Sequence, residues 1–326
     1  MTTLDEIKAP VASYVDQFHE QFEQILLSKS QWLTTAVEHL SRSTGKMVRP
    51  IMTSLMGGLI TPNLPSKTID SAILLELIHT ATLIHDDVID EASTRRGRPT
   101  LNAIFDNRVA VLMGDFVLSS ALIGAIATKD MRVVGVVSAI GRELTEGEIR
   151  QFETADNVVL SEAVYMDVIR QKTAVLFRSC AEVAAITTDA PESEIQTLGD
   201  CGEYLGIAFQ IRDDIFDYYT TDVGKPTGND IREGKVTLPL LHCLMEDNGS
   251  SPEGARALNI LQSKDFTETN IDYLLTFAKE RGGIQYAEQR MNQFIEQAKS
   301  ILYTYPESNY RAALLALADF IAGRNI

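Results

Sequence analysis

Two segments of the chain carry carboxylates at a spacing suited to a hard divalent cation. They are Leu83-Ile84-His85-Asp86-Asp87-Val88-Ile89-Asp90 and Phe209-Gln210-Ile211-Arg212-Asp213-Asp214-Ile215-Phe216-Asp217. In a helix, residues four apart share a face, so Asp86 and Asp90 point one way, as do Asp213 and Asp217. Asp87 and Asp214 sit about 100° round, on the shoulder of that face. Three carboxylates in one turn repel one another and destabilise a bare helix. Magnesium removes that cost, because it prefers oxygen ligands and typically takes one or two carboxylates plus substrate phosphates. A single Asp-Asp-x-x-Asp reads as readily as a solvated helix end. Two copies, each embedded among apolar residues, favour a pair of clusters holding a diphosphate across a cavity through shared ions.

Basic residues accompany the acidic ones. Gly45-Lys46-Met-Val-Arg49-Pro50 places Lys46 and Arg49 three apart, on one face if helical, and Thr94-Arg95-Arg96-Gly97-Arg98-Pro99 follows the first acidic motif. Arginine forks suit phosphate oxygens and lysine adds a compact charge. Lys172 and Thr173 lie inside a helical pattern, and Gln210 is three residues before Asp213. Lys225 and Lys235 bracket a loop containing Gly224, Gly228 and Asp230 that lacks P-loop spacing. His79 stands two turns before Asp86 and His85 immediately precedes it. A lone histidine in an apolar helix is more often a core residue than a ligand. No Cys/His metal spacing or Ser-His-Asp arrangement is present, so covalent catalysis is not indicated. Cys180, Cys201 and Cys243 are far apart and read as reduced thiols in helices.

The elements that must position these residues are helical. Apolar residues three and four apart predict helices over 22–40, 71–89, 110–127, 161–187, 195–219 and 271–303. Short loops with turn chemistry join them, such as Thr61-Pro-Asn-Leu-Pro-Ser and Asp247-Asn-Gly-Ser-Ser-Pro, and none is long enough to link domains. The expectation is an all-α single domain over residues 1–326, with helices packed around a central cavity. A net charge of −16 argues against nucleic acid and anionic lipid as partners. It leaves open a phosphate substrate held through magnesium. The start of the chain lacks a signal-peptide pattern, and Val109–Ala127 is interrupted by Asp115 and short for a membrane span, so a cytoplasmic protein is expected.

Taken in order, Gly45-Lys46-x-x-Arg49-Pro50, Asp86-Asp87-x-x-Asp90 with Arg95-Arg96-Gly97, Gly114-Asp115-Phe116, Lys172-Thr173 and Phe209-Gln210-x-x-Asp213-Asp214-x-x-Asp217 resemble the trans-isoprenyl diphosphate synthase family. The resemblance runs from Gly45 to Lys235. It implies the isoprenoid synthase type I fold of ten or more helices, a homodimer and three magnesium ions. It further implies that Asp86, Asp90, Asp213 and Asp217 bind metal and that Asp87 and Asp214 belong to the catalytic clusters. Arg95, Lys172, Gln210, Lys225 and Lys235 would contact an allylic diphosphate (farnesyl or geranyl). Lys46, Arg49, His79 and Arg96 would hold isopentenyl diphosphate, and Thr173 would lie near the reacting carbons. In this family, bulky residues four and five positions before the first aspartate close the product tunnel. Here those positions are Thr82 and Ala81, both small, which implies a long product of the octaprenyl type. A geranylgeranyl- or farnesyl-length enzyme is the alternative within the class, and a non-catalytic subunit of a heteromeric synthase is the alternative outside it.

Overall fold

Among the described residues the apolar spacing closes into helix over most of its length, and most breaks fall where turn residues interrupt it. A computed structural model describes residues 3–41, 46–219 and 227–323. Among them the only strands are Thr94–Arg95 and Arg98–Pro99, an antiparallel pair. The remainder is helix and connecting turn, as the all-α expectation requires.

Two expected helices are each divided in two. The 22–40 pattern is a helix Ala12–Ile25 followed by another, Gln31–Ser41. Ser28 and Ser30 account for the break, since Ser28 Oγ accepts the Ser30 N–H and the Ser30 carbonyl opens the next helix. Such local side-chain bonds compete with helix continuation. The 271–303 pattern is Glu268–Glu280 and Gly283–Leu302, divided at Gly282, whose φ of 79° only glycine adopts cheaply. The expected 161–187 helix is continuous in path but contains a π-turn at Arg170–Ala174, between Glu162–Ile169 and Val175–Thr187.

The chain divides into two compact units. One comprises 1–141, 176–199 and 303–316; the other comprises 142–175, 200–302 and 317–326. The first unit is built on the helix Ser66–Ile89, whose middle is buried on all sides (Ile73, Leu74, Leu75, Leu77 and Ile78 are at most 1% exposed). The helix Asn107–Ala127 packs along it at close range: a Cβ on Gly114 would meet His85 Nε2 at 2.3 Å, and one on Gly124 would meet Leu74 Cδ2 at 2.3 Å. The Gly114 of the sequence motif is therefore a seat for His85. That histidine also faces Asp115 at 3.4 Å, so it serves helix packing. Helix 107–127 is long and apolar enough to cross a membrane by length and composition, more so than the sequence suggested.

The second unit is organised by the helix Glu192–Phe216, of which residues from Asp200 belong here, and by Leu238–Asp247, Glu268–Glu280 and Gly283–Leu302. Leu205, Ala208, Ile211, Leu240, Leu274 and Ala298 are fully buried in it. All three cysteines are buried, free and helical. Burial pushes the Cys180 and Cys201 thiols up to about 12, which leaves them as inert core side chains.

Candidate active site

The first acidic motif forms the last turn of helix 66–89, and the helix stop is built around it. The Glu91 N–H donates to the Val88 carbonyl and the Ala92 N–H to the Asp87 carbonyl, with Glu91 at φ 50°. This double bond around a left-handed residue is the Schellman arrangement, here made without glycine. Asn102 Nδ2 reinforces it by donating to the carbonyls of Asp87 and Ala92, at 3.3 and 3.0 Å. Asp86 and Asp90 keep the expected i, i+4 relation, the Asp90 N–H donating to the Asp86 carbonyl at 2.8 Å. Carboxylates at a helix C-terminus oppose the macrodipole, so this placement is costly unless cations meet it.

One such cation is internal. Arg95 Nε donates to Asp87 Oδ1 at 2.7 Å, and Asp87 is only 7% exposed. Asp87 thus anchors Arg95, while Asp86 is half-buried and Asp90 exposed. The hairpin that carries Arg95 turns through Arg96 (φ 52°) and Gly97 (φ 74°), two consecutive left-handed residues. That is the turn geometry matching the twist of a two-residue hairpin, and it lifts Arg96 clear of the strand pair.

Arg49 lies in the first turn of the helix Val48–Ile60. Lys46, expected on the same helical face, lies before the helix start, because Met47 takes a left-handed conformation (φ 54°) and caps it. The Arg49 guanidinium stacks over the Phe177 ring, 5.5 Å from its centroid. Arg96, Arg95, Asp87, His79 and Glu76 line a cavity of about 90 Å³, closed on another side by Phe18 and Phe22. Burial first, and then the guanidiniums of Arg49, Arg96 and Arg95, hold His79 well below the usual imidazole range. His79 therefore offers a neutral ring with one donor and one acceptor. Glu76 was not singled out in the sequence. Its carboxyl is raised by burial, against the pull of Arg49 and Arg96, and Glu76 Oε2 and Arg49 Nε are both buried without a hydrogen-bond partner. Polar atoms left bare in this way are costly and mark a place that a polar ligand completes.

Chain-length positions can be placed on the same helix. Ala81 is 1% exposed within the core, whereas Thr82 is half-buried and its hydroxyl donates to the His79 carbonyl.

The second unit carries the other acidic motif. Asp213 and Asp214 close helix 192–216, and Asp217 is the first residue past it, the place Asp90 takes after helix 66–89. The Asp217 carboxylate accepts the backbone N–H groups of Asn229 and Asp230, each at 3.0 Å, at the start of the short helix Asn229–Arg232. Asp213 is exposed. Asp214 is buried, with Oδ2 accepting from the Tyr165 hydroxyl and Oδ1 from Gln210 Nε2, both at 2.7 Å. Gln210 Oε1 in turn accepts from the Thr173 hydroxyl at 2.6 Å. Burial, Asp230 and Asp213 together drive the Asp214 carboxyl well above the usual range. Asp230 is pushed up to about 7 by burial and by Asp217, with Lys235 opposing. Lys235 also contacts Glu233. Lys225 lies outside the described residues, as does Gly45.

Lys172 and Thr173 occupy the π-turn, a rare irregularity that re-aims side chains. Lys172 Nζ donates to Glu148 Oε2 at 2.6 Å and to Gln151 Oε1 at 2.7 Å. Sequence reasoning found neither partner, nor Tyr165, since acids and amides on an amphipathic helix carry no signal of their own.

Among the described residues, no three His, Cys, Asp or Glu side chains are assembled as a ready-made metal cage. The donors nevertheless fit magnesium. They are hard carboxylate oxygens at two helix C-termini, and in the second unit burial, and after it the crowding of neighbouring carboxylates, holds Asp214 and Asp230 toward the neutral form. A hard cation completed by phosphate oxygens relieves that crowding.

A model of the polyprenyl synthetase family matches residues 30–277. The octaprenyl diphosphate synthase of Haemophilus influenzae is 36% identical over 289 residues, covering 88% of this chain and 87% of that protein. The all-trans-nonaprenyl-diphosphate synthase (geranyl-diphosphate specific) of Rhodobacter capsulatus is 33% identical, covering 98% and 97%. Among solved structures, the polyprenyl synthase from Caulobacter crescentus CB15, complexed with calcium and isoprenyl diphosphate, superposes with a TM-score of 0.91. It is 30% identical and the match covers 99% of this chain and 98% of that one. The geranylgeranyl pyrophosphate synthase from Bacteroides thetaiotaomicron gives a TM-score of 0.85 at 37% identity, covering 98% and 99%.

Proposed function

This chain belongs to the polyprenyl synthetase family, and on that premise we propose that it is a magnesium-dependent all-trans polyprenyl diphosphate synthase. It is a prenyltransferase that joins isopentenyl diphosphate head-to-tail to an allylic diphosphate, farnesyl or geranyl, and repeats the addition to a long-chain product for quinone side chains. The observation that carries the reading is the doubled acidic motif, each copy at a helix C-terminus, with Arg95 bonded to Asp87 in the first and Lys235 acting on Asp230 beside the second.

Asp86, Asp90, Asp213 and Asp217 would hold magnesium, three ions in the family pattern. Asp217 would do so while its carboxylate also accepts two backbone N–H groups. The solved relative complexed with calcium and isoprenyl diphosphate supports the use of a divalent ion. Bound magnesium supplies Lewis-acid neutralisation of the diphosphate that departs. Arg95, fixed by Asp87, and Lys172, fixed by Glu148 and Gln151, add positive charge to that leaving group. Lys225 and Lys235 join them on this reading. Thr173 spends its hydroxyl hydrogen on Gln210, so the oxygen turns lone pairs outward, toward where allylic positive charge develops. Lys46, Arg49, Arg96 and neutral His79 bind isopentenyl diphosphate, with the cavity at Glu76 and His79 as the anchor of that site.

The small pair Ala81 and Thr82 supports a long product, as does the likeness to octaprenyl and nonaprenyl synthases. A geranylgeranyl-length product is the second reading, favoured by the Bacteroides likeness. We also take the protein to be a cytoplasmic homodimer acting as one catalytic domain with no integral membrane segment. The exposed stripe Val111, Leu112, Leu122, Ile123 and Ile126 on helix 107–127 supports the dimer, being too apolar for a face left in water. Product analysis, set out at the close of the Discussion, tests the activity.

A further inference from the structure

The π-turn that carries Lys172 is gripped from one side by a single stretch of the helix Met131–Asn157. Gly147 makes the close approach possible: a Cβ there would fall 2.8 Å from Gln171 Cβ and 3.0 Å from the Lys172 backbone nitrogen. One residue on, Glu148 accepts from Lys172 Nζ at 2.6 Å, and one turn on, Gln151 accepts from it at 2.7 Å. Between them Arg150 reaches Asp167 at 3.2 Å, and Arg170 of the π-turn meets the same Asp167. Asp167, in the helix Glu162–Ile169, thus joins the π-turn to the same stretch of helix 131–157. The side chains of Glu148 and Lys172 are 17% and 29% exposed, so the pair is shielded well enough for its geometry to be held.

An ammonium has three N–H donors arranged tetrahedrally. A carboxylate and an amide oxygen take two of them, which fixes the direction of the third. A lysine on a four-carbon stem is otherwise a mobile point charge that pays rotamer entropy whenever it binds. We infer that Glu148 and Gln151 are positioning residues that aim Lys172 at the allylic diphosphate, with Gly147 as the contact that brings them within reach. This rests on the proposed role of Lys172, and it names a task for three residues outside both acidic motifs.

The test is steady-state kinetics on the full-length enzyme with farnesyl diphosphate, isopentenyl diphosphate and magnesium. Glu148→Ala is expected to raise the KM for the allylic primer, or lower kcat, by about tenfold or more, while the KM for isopentenyl diphosphate stays within about twofold. Glu148→Gln keeps an acceptor oxygen and should recover most of the loss. In a Lys172→Ala background, Glu148→Ala should cost nothing further, because its effect runs through that lysine. If Glu148→Ala fails to fold, Gln151→Leu with Gln151→Glu as its rescue carries the same test. Equal loss on both substrates, or full additivity with Lys172→Ala, overturns the inference. So does a lower primer KM in Glu148→Ala, since Glu148 would then compete with the diphosphate. A harmless Lys172→Ala would instead overturn the role of Lys172 itself, and the inference with it.

Discussion

Single carboxylates in this chain do different work within one motif. Asp87 and Asp214 are buried and bonded to Arg95, Tyr165 and Gln210, whereas Asp86, Asp90 and Asp213 are more open. Replacing Asp86 or Asp213 with Asn should therefore lower kcat by about a hundredfold or more while leaving the melting temperature unchanged or raised, because it removes repulsion at a helix C-terminus. Parallel turnover and thermal-melt measurements check this; a large drop in stability would assign these residues to the fold. Asp230 gives a pH prediction. Its folded-state pKa of about 7 exceeds the ordinary 3.8, so the folded state favours the neutral acid. Stability of the metal-free protein should then decline as pH rises from about 4 to about 7, and Asp230→Asn should flatten that decline. His79 adds the opposite slope: held neutral when folded, it loses stability as pH falls below about 6.5. Thr82→Phe should shorten the product, read from chain lengths on a reversed-phase separation. Ala81→Phe should also cost about 1–3 kcal/mol of stability, because Ala81 is fully packed.

At the scale of the element, what was legible in the sequence is what depends on periodicity, and what was hidden depends on partners. Helix 66–89 and its aspartates could be read because apolar spacing and motif coincide. The stop at Ser28 and Ser30 could not, since an apolar pattern passes through a break decided by the Ser28 hydroxyl and the Ser30 backbone. Lys46 stands before a helix that Met47 caps, so the condition for a shared face with Arg49 is not met, and a left-handed non-glycine residue leaves no mark in composition. The π-turn at 170–174 is equally silent, because its cause is the helix beside it. The Gly114 motif shows the reverse case, a recognisable pattern whose local task is packing. Gly114→Ala would force His85 aside, and we expect about 1–3 kcal/mol of destabilisation with activity falling as the helix end shifts. Thermal melts beside turnover check it; an unchanged melting temperature would mean that the histidine swings away freely.

For the whole molecule, the chain's acidity and its phosphate substrates are reconciled by the ions proposed between them, and the second copy proposed above would reconcile the apolar stripe of helix 107–127 with water. Leu112→Glu together with Ile123→Glu should convert a dimer to a monomer in light scattering, and a wild-type monomer would remove that account of the stripe. The central claim is chain elongation, and one measurement reaches it most directly. Purified protein is incubated with labelled isopentenyl diphosphate, farnesyl diphosphate and magnesium, and the products are resolved by length. The account predicts all-trans products well beyond geranylgeranyl length that vanish when a chelator removes magnesium. An accumulation that stops at geranylgeranyl would contradict the long tunnel, and no product from either farnesyl or geranyl primer would contradict the assignment of catalysis to this chain alone.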